Sequence, residues 1–198
     1  MGLVMFSAAL RAQVIDFESS GLHYKALTRN GVTIMFAPLP IKVHDYSVLE
    51  IAVSNGSSIS WAVRPEDFRF ERTDGPTIQA LPALTVVNTL RDKASRSDLT
   101  KLVKTYEASL YGNTQIHSTN GYESRRESAM ADLGSTKLRA AATASAIALV
   151  LTKLKPGQST DGAIFFPTQG KSLGAGELVV NTASETFEFP VDGAPAHK

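Results

Sequence analysis

The sequence of 198 residues contains no cysteine. Disulfide bonds, thiolate nucleophiles, iron–sulfur clusters and cysteine-bound zinc are therefore excluded. The absence is compatible with the cytosol and equally with an exported bacterial protein that avoids unwanted oxidation. Any chemistry of this chain must come from other side chains.

The chain also lacks an excess of either charge. It has 20 Lys and Arg against 19 Asp and Glu, a formal net charge of +1. Nucleic-acid-binding domains usually have a basic excess or a basic stripe, and anionic membrane surfaces attract polybasic clusters. Since the sequence has neither, we expect no nucleic-acid partner. The 43% of hydrophobic and 20% of charged residues are typical of a globular protein.

No hydrophobic run is long enough to span a membrane. The longest candidate, Ala140 to Thr152, has 13 residues and lies between Arg139 and Lys153, whereas a spanning helix needs about 20. This run is also rich in Ala, Ser and Thr. We therefore predict a packed core helix here and no transmembrane helix in the mature chain.

The N-terminus resembles a secretory signal peptide. Ten uncharged residues precede Arg11, and small residues at Ser7–Ala9 and Leu10–Ala12 are candidate processing sites. The basic stretch that normally precedes the apolar run is missing. We interpret residues 1–12 as signal-peptide-like, which favours a periplasmic or extracellular bacterial location over the cytoplasm. An N-terminal strand or a frayed end is the structural alternative, and an uncleaved N-terminus would make a membrane-anchored envelope protein.

The first third of the sequence alternates apolar and polar residues with a period of two, which is typical of β-strands. Asn55-Gly56 separates two such segments, and this dipeptide favours the positive φ angles of a tight turn, so we predict a hairpin across it. The alternation places Glu50 opposite the apolar face. The inward-facing residues predicted in this region are Val32, Ile34, Phe36, Leu49, Ile51, Val53, Ile59, Trp61, Val63, Phe68 and Phe70.

The middle of the sequence changes to a helical period. One stripe begins after the predicted N-cap Ser97, and a second pattern continues to Leu154. We predict two antiparallel helices, inserted at about 95–155. Their apolar stripes are Leu99, Leu102, Val103, Tyr106 and Leu110 in the first helix, and Ile147, Val150, Leu151 and Leu154 in the second.

After Pro156-Gly157, which we interpret as the turn that ends the second helix, the period of two returns. The predicted strands are Ala163–Phe166, Glu177–Asn181 and Thr186–Val191, and 192–198 is predicted to be a loose tail. Strands, then helices, then strands do not form the alternating pattern of a nucleotide-binding fold. The prediction for 13–191 is a single domain, mainly β with an α insertion, in which a two-helix hairpin interrupts an antiparallel β-sandwich.

Two segments, "YSVLEIAVSNGSSISWAVRPEDFRF" and "LKPGQSTDGAIFFP", resemble uncharacterised exported bacterial proteins with an immunoglobulin-like sandwich. The second segment has the strand-opening pattern L-x-P-G-x-S-x-x-G-x-hydrophobic-F-F. The resemblance covers about 40 residues and implies an immunoglobulin-like fold and export. It implies no activity, because sandwich folds have many unrelated functions.

No catalytic, cofactor-binding or metal-binding constellation is recognisable. His23, His44, His117 and His197 are dispersed without metal-ligand spacing, and no G-x-S-x-G motif is present. The segment around Lys171 lacks the order of a phosphate-binding loop, and we interpret it as a flexible hairpin loop. We predict no cofactor and no enzymatic activity. A hydrolase with a site assembled from loop carboxylates and histidine is the enzymatic alternative.

The helical hairpin has a cluster of aromatic and arginine residues. Tyr111, Tyr122, Arg125 and Arg126 are of the types enriched at protein-binding hot spots. Alternatively, the tyrosines staple the helix ends together and the arginines pair with neighbouring glutamates. The function predicted from the sequence is an exported, non-enzymatic binding or assembly module. Its helices would contact a protein partner or a second copy of the chain.

Overall fold

A computed structural model of the chain describes residues 13–19, 21–97, 100–101, 104, 136–182 and 184–192. The predicted signal-peptide-like segment 1–12, most of the predicted helical insertion and all but the first residue of the predicted tail lie outside these residues. The strands of the described part, in chain order, are β1 Ile15–Ser19, β2 Leu22–Arg29, β3 Val32–Val43, β4 Tyr46–Asn55, β5 Trp61–Val63, β6 Phe68–Arg72, β7 Ile78–Gln79, β8 Thr152–Leu154, β9 Ser159–Pro167, β10 Gly176–Asn181 and β11 Thr186–Val191.

The strands form antiparallel sheets. Five strands pair in the order β1-β2-β3-β4-β9, four strands pair in the order β11-β10-β6-β7, and β5 pairs with β8 as a separate ribbon. The chain therefore meanders through β1 to β4 and returns from the helical region to add β9 beside β4. Strand β10 pairs antiparallel with β6, which is about 100 residues earlier in the chain.

The two larger sheets share a core made by the residues that the period-two pattern places on one face. Phe68 and Phe70 from β6, and Phe187 and Phe189 from β11, are completely buried. Phe36 of β3 meets Phe189 edge-on with ring centroids 5.2 Å apart. Edge-on aromatic pairs are favourable beyond the apolar area that they bury. The predicted inward faces of these strands are thus confirmed.

Two helices cover the other face of the five-stranded sheet. Helix α1 spans Ala83–Lys93 and α2 spans Thr136–Ile147. Val86 and Leu90 of α1 and Ala144 and Ile147 of α2 are buried with sheet residues such as Phe165 in a second apolar cluster. The described part of the chain therefore has three layers, which are helices, the five-stranded sheet and the four-stranded sheet. The prediction of a mainly β fold with inserted helices is confirmed at this level.

The helical region begins earlier and ends earlier than predicted. Helix α1 starts at Ala83, ahead of the expected boundary at 95, within a run of Thr and Val whose β-branched side chains favour strands. Helix α2 ends at Ile147, so the predicted helical stripe to Leu154 is wrong. Val150 and Leu151 are exposed, and Leu154 belongs to β8, where it pairs with Trp61 of β5.

The hairpin predicted at Asn55-Gly56 is also wrong. Strand β4 does not pair with β5, because the chain crosses here from the five-stranded sheet to the β5–β8 ribbon. Ile59, predicted to face inward, is 62% exposed in this crossover. The tight Asn-Gly hairpin is formed by Asn30-Gly31 between β2 and β3, where both φ angles are positive at 46° and 81°.

The Pro156-Gly157 turn joins two strands, β8 and β9, rather than a helix and a strand. Gly157 has a φ of +79°, which supports the predicted turn. Gly162 within β9 has a different role. A Cβ on Gly162 would lie 2.7 Å from the backbone N and Cα of Leu149, so the glycine allows the chain after α2 to cross the strand closely.

The described helices have 11 and 12 residues. Within the described ranges, no helix is long and apolar enough to cross a membrane.

Candidate functional site

Two buried carboxylates lie beneath the helices. Strand pairing places Ala37, Glu50 and Ala163 in one row across the sheet. Glu50 is fully buried and Asp161, on the same sheet face, is 2% exposed. The hydroxyl of Tyr24 donates to Oε2 of Glu50 at 3.0 Å. The Tyr24–Glu50 bond ties β2 to β4, and both carboxylates are buried away from solvent.

An open cavity lies elsewhere, between the two larger sheets at one end of the sandwich. We call it the mouth pocket. It has a volume of about 480 Å3 and is lined by β3, β4, β6, the loop before β10 and the end of β11. Phe36, Leu49 and Phe70 lie on its inner side and belong to the core between the sheets. The other apolar lining residues are Pro38, Leu39, Pro40, Ile41, Val48, Leu173 and Val191.

A break in the pairing of β3 with β4 forms one wall of the mouth pocket. The regular register stops at Pro38 and resumes at Lys42. Proline has no N–H group, so Pro38 and Pro40 cannot donate to a neighbouring strand. The wall is therefore an irregular, proline-rich edge that carries apolar side chains.

The opposite wall is the loop 171–174, and polar contacts hold it in place. The hydroxyl of Ser47 lies 3.0 Å from that of Thr168 and donates to the carbonyl oxygen of Lys171 at 2.9 Å. Arg72 donates from Nε to the carbonyl of Leu173 at 3.0 Å. Gly174 has a φ of +81° that L side chains rarely adopt. Since β9 and β10 belong to different sheets, this loop is a crossover and not the hairpin loop that we predicted.

Among the described residues that line the mouth pocket, only three have polar side chains, namely Ser47, Ser172 and Asp192. The Ser47 hydroxyl already forms hydrogen bonds with Thr168 and with the carbonyl of Lys171. Asp192 is the single ionisable residue in the described part of this lining and lies exposed just after β11. The mouth pocket can therefore bind an apolar body, with polar contacts available mainly at its rim.

A cluster of glutamates lies on the outer face of the four-stranded sheet. Glu177 is opposite Glu71 on the neighbouring strand. Burial raises the pKa of the Glu177 carboxyl, and the nearby carboxylates of Glu188 and Glu71 raise it further. Arg69 Nε lies 2.7 Å from Oε1 of Glu71. In the described part of the chain, no three His, Asp or Glu side chains are placed to hold a metal ion.

The histidines that the structure describes are not brought together. His23 is exposed on β2. His44 is in the two-residue turn between β3 and β4, with Nε2 3.0 Å from Oδ2 of Asp45. His117 and His197 lie outside the described residues, as do the candidate partner-binding residues Tyr111, Tyr122, Arg125 and Arg126. The partner surface predicted on these four residues stays a prediction.

No local pattern in the sequence predicts the mouth pocket. Its residues come from distant segments, and Asp192 falls in the predicted loose tail. The one local indication is the pair Pro38 and Pro40 inside an otherwise apolar strand, since proline within a strand marks an edge or a bulge.

Comparisons with protein-family models, with curated proteins and with solved structures found no match to this chain.

Proposed function

We propose that this chain is a binding module that takes a small, largely apolar ligand into the mouth pocket. The observation that carries the proposal is the cavity of about 480 Å3 with an almost entirely apolar lining. Sites for small molecules are typically clefts of about 300–1,000 Å3, lined by hydrophobic side chains with few polar groups. The mouth pocket has this size and this composition.

The packing of the sandwich supports the proposal. Protein interiors are close-packed and have few voids larger than a water molecule. Here Pro38, Ile41, Leu173 and Val191 surround an open space although the adjacent core is dense. Burying apolar surface is worth about 25 cal/mol per Å2. A ligand that fills the space would therefore bind by covering these side chains and would stabilise the folded protein.

The proposal retains the wider prediction of an exported binding or assembly module. Export rests on the signal-peptide-like residues 1–12, and a protein partner or self-association rests on the predicted helical-hairpin surface. The finer assignment to an immunoglobulin-like sandwich is supported by two antiparallel sheets with a shared core and by Trp61, 4% exposed, within that core.

The hydrolase alternative requires two or more ionisable groups in one accessible cleft. Asp192 is the only ionisable residue in the described lining of the mouth pocket. The carboxylates of Glu50 and Asp161 are buried. No observation on the described residues favours this alternative over ligand binding.

A pocket-filling substitution tests the proposal. Val191→Trp places a large ring in the cavity, and Leu151→Trp adds the same ring at an exposed position that does not line it. We expect 1-octanol to bind the wild-type protein with a dissociation constant on the order of 0.1–1 mM, as its few atoms allow. Calorimetric titration should show at least about tenfold weaker binding to Val191→Trp and unchanged binding to Leu151→Trp. Absence of saturable binding to the wild type, or equal binding to both variants, would contradict the proposal.

A further inference from the structure

The rim of the mouth pocket carries a carboxylate. Among the described residues that line the pocket, Asp192 is the only one with a charged side chain, and it is exposed at the end of β11. A carboxylate is an acceptor of hydrogen bonds and attracts cations. The rim therefore favours a ligand end that donates hydrogen bonds and carries positive charge.

The proline-rich wall adds to this preference. Pro38 and Pro40 contribute carbonyl oxygens but no N–H donors, and the register with β4 is interrupted between Pro38 and Lys42. This stretch consequently contains more backbone acceptors than donors. An anionic ligand end would find few partners here, whereas an ammonium group, which has three donors, complements acceptors.

Two described cations belong to segments beside this rim, namely Arg72 on β6 and Lys171, which is exposed at the start of the loop wall, and neither of them lines the pocket. Arg72 donates to the carbonyl of Leu173 at 3.0 Å and to that of Ser172 at 3.3 Å, and these bonds hold the loop wall of the pocket. A carboxylate or phosphate at the rim would have to compete for these contacts and would lie beside Asp192, an unfavourable pairing of like charges.

We propose that the mouth pocket binds cationic amphiphiles, with the apolar body between the two sheets and an ammonium group at Asp192. This inference rests on the proposed function, since it specifies the ligand class of the same site. The apolar lining supplies the affinity, and Asp192 selects the sign of the charged end.

Three ligands with the same eight-carbon chain test the inference, namely octylammonium, 1-octanol and octanoate. They are titrated by calorimetry at neutral pH, below their aggregation concentrations, into the wild-type protein, Asp192→Asn and Asp92→Asn. The matched control Asp92 is an exposed carboxylate on α1 that does not line the pocket. Both substitutions remove one negative charge, so only a local effect distinguishes them.

Octylammonium should bind the wild type about 3- to 10-fold more tightly than octanoate, the range expected for an exposed charge pair. The preference should decrease in 0.5 M salt because exposed charges are screened. It should fall to about 2-fold or less in Asp192→Asn and persist in Asp92→Asn. Octanol should bind all three proteins equally.

Equal binding of octylammonium and octanoate would overturn the inference, as would a preference that survives Asp192→Asn. The proposed function fails separately, when octanol shows no saturable binding to the wild type. If octanol binds and no charge preference is found, the pocket is a binding site whose ligand class is assigned wrongly.

Discussion

The side-chain amide nitrogen of Asn55 donates to the carbonyl oxygen of Leu154 at 3.1 Å and so joins the end of β4 to a strand 99 residues later. The same nitrogen donates to the carbonyl of Ile59 at 2.7 Å. Its Oδ1 accepts from the backbone N–H of Ser57 at 3.1 Å. Because Asn55 is fully buried, these bonds fix the crossover from the five-stranded sheet to the β5–β8 ribbon.

Replacing Asn55 by Asp should destabilise the fold by about 2–4 kcal/mol, because a carboxylate oxygen would face two buried carbonyls that have lost their donor. Chemical denaturation measures the change. Ser54→Ala, at the exposed neighbouring position, is the matched control and should stay within about 0.5 kcal/mol. A loss below about 1 kcal/mol in Asn55→Asp would show that these bonds do not organise the crossover.

Two glycines should respond to substitution for different reasons. Gly162→Ala puts a Cβ 2.7 Å from the backbone of Leu149, so we expect a loss of about 3 kcal/mol or more from this overpacking. Gly157→Val meets open space but must adopt a φ of +79°, which costs about 1–3 kcal/mol. Asparagine tolerates a positive φ better than valine does, so Gly157→Asn should be clearly more stable than Gly157→Val. Gly162→Asn should be as destabilised as Gly162→Ala, because its Cβ meets the same backbone atoms. Unchanged thermal stability of Gly157→Val would contradict the turn, and tolerance of Gly162→Ala would contradict the close crossing.

The Tyr24–Glu50 hydrogen bond should contribute measurably to stability. Tyr24→Phe removes the donor at 3.0 Å from the buried Oε2 of Glu50, and we expect a loss of about 1–3 kcal/mol. Tyr46→Phe is the control, since Tyr46 is a buried tyrosine on the same sheet whose ring meets Phe165 edge-on at 6.0 Å. Denaturation of both variants should show the larger loss for Tyr24→Phe. Equal losses would mean that the hydroxyl of Tyr24 contributes no more to stability than that of Tyr46, which would contradict the prediction.

Glu177 should make stability depend on pH. Burial and then the carboxylates of Glu188 and Glu71 raise its pKa in the folded protein. The unfolded chain therefore releases this proton at a lower pH than the folded protein does. The stabilisation that comes from the tighter binding of this proton in the folded state is present below the unfolded pKa, and it is lost as pH rises through the folded pKa. Glu177→Gln lacks the titration, so its melting temperature relative to the wild type should increase between pH 4 and pH 7. A constant difference for Glu177→Gln would refute the raised pKa.

The sequence predicted those parts of the fold in which local pattern and tertiary packing agree. Phe68, Phe70, Phe187 and Phe189 alternate with polar residues and are all buried. The segment Ala163–Phe166 has apolar residues on both faces, and it lies within β9, which is covered on both faces.

The failures occur where distant segments decide the outcome. Asn30-Gly31 and Asn55-Gly56 are the same dipeptide, yet only the first has two positive φ angles. Pairing of β9 with β4 and of β8 with β5 determines the path at the second. Glu50 follows the period-two pattern of an outer face, but helices cover that face, so the residue is buried. No local pattern could reveal this cover.

The candidate site was not predictable for the same reason. The mouth pocket combines an irregular stretch of β3 with a loop more than 130 residues later and with Asp192. Each segment alone resembles an ordinary edge, loop or tail. Their proximity depends on the pairing of β6 with β10, which brings Arg72 beside the loop at Leu173.

The most direct test of ligand binding in the mouth pocket is a methyl NMR titration of the wild-type protein with 1-octanol. We expect saturable shifts of the methyl groups of Leu49, Leu173 and Val191, which line the pocket on the side of the core between the sheets. The exposed methyl groups of Ile59, Leu84 and Leu151, which do not line it, should not shift. Shifts confined to the exposed set, or no saturable shift in either set, would contradict the account.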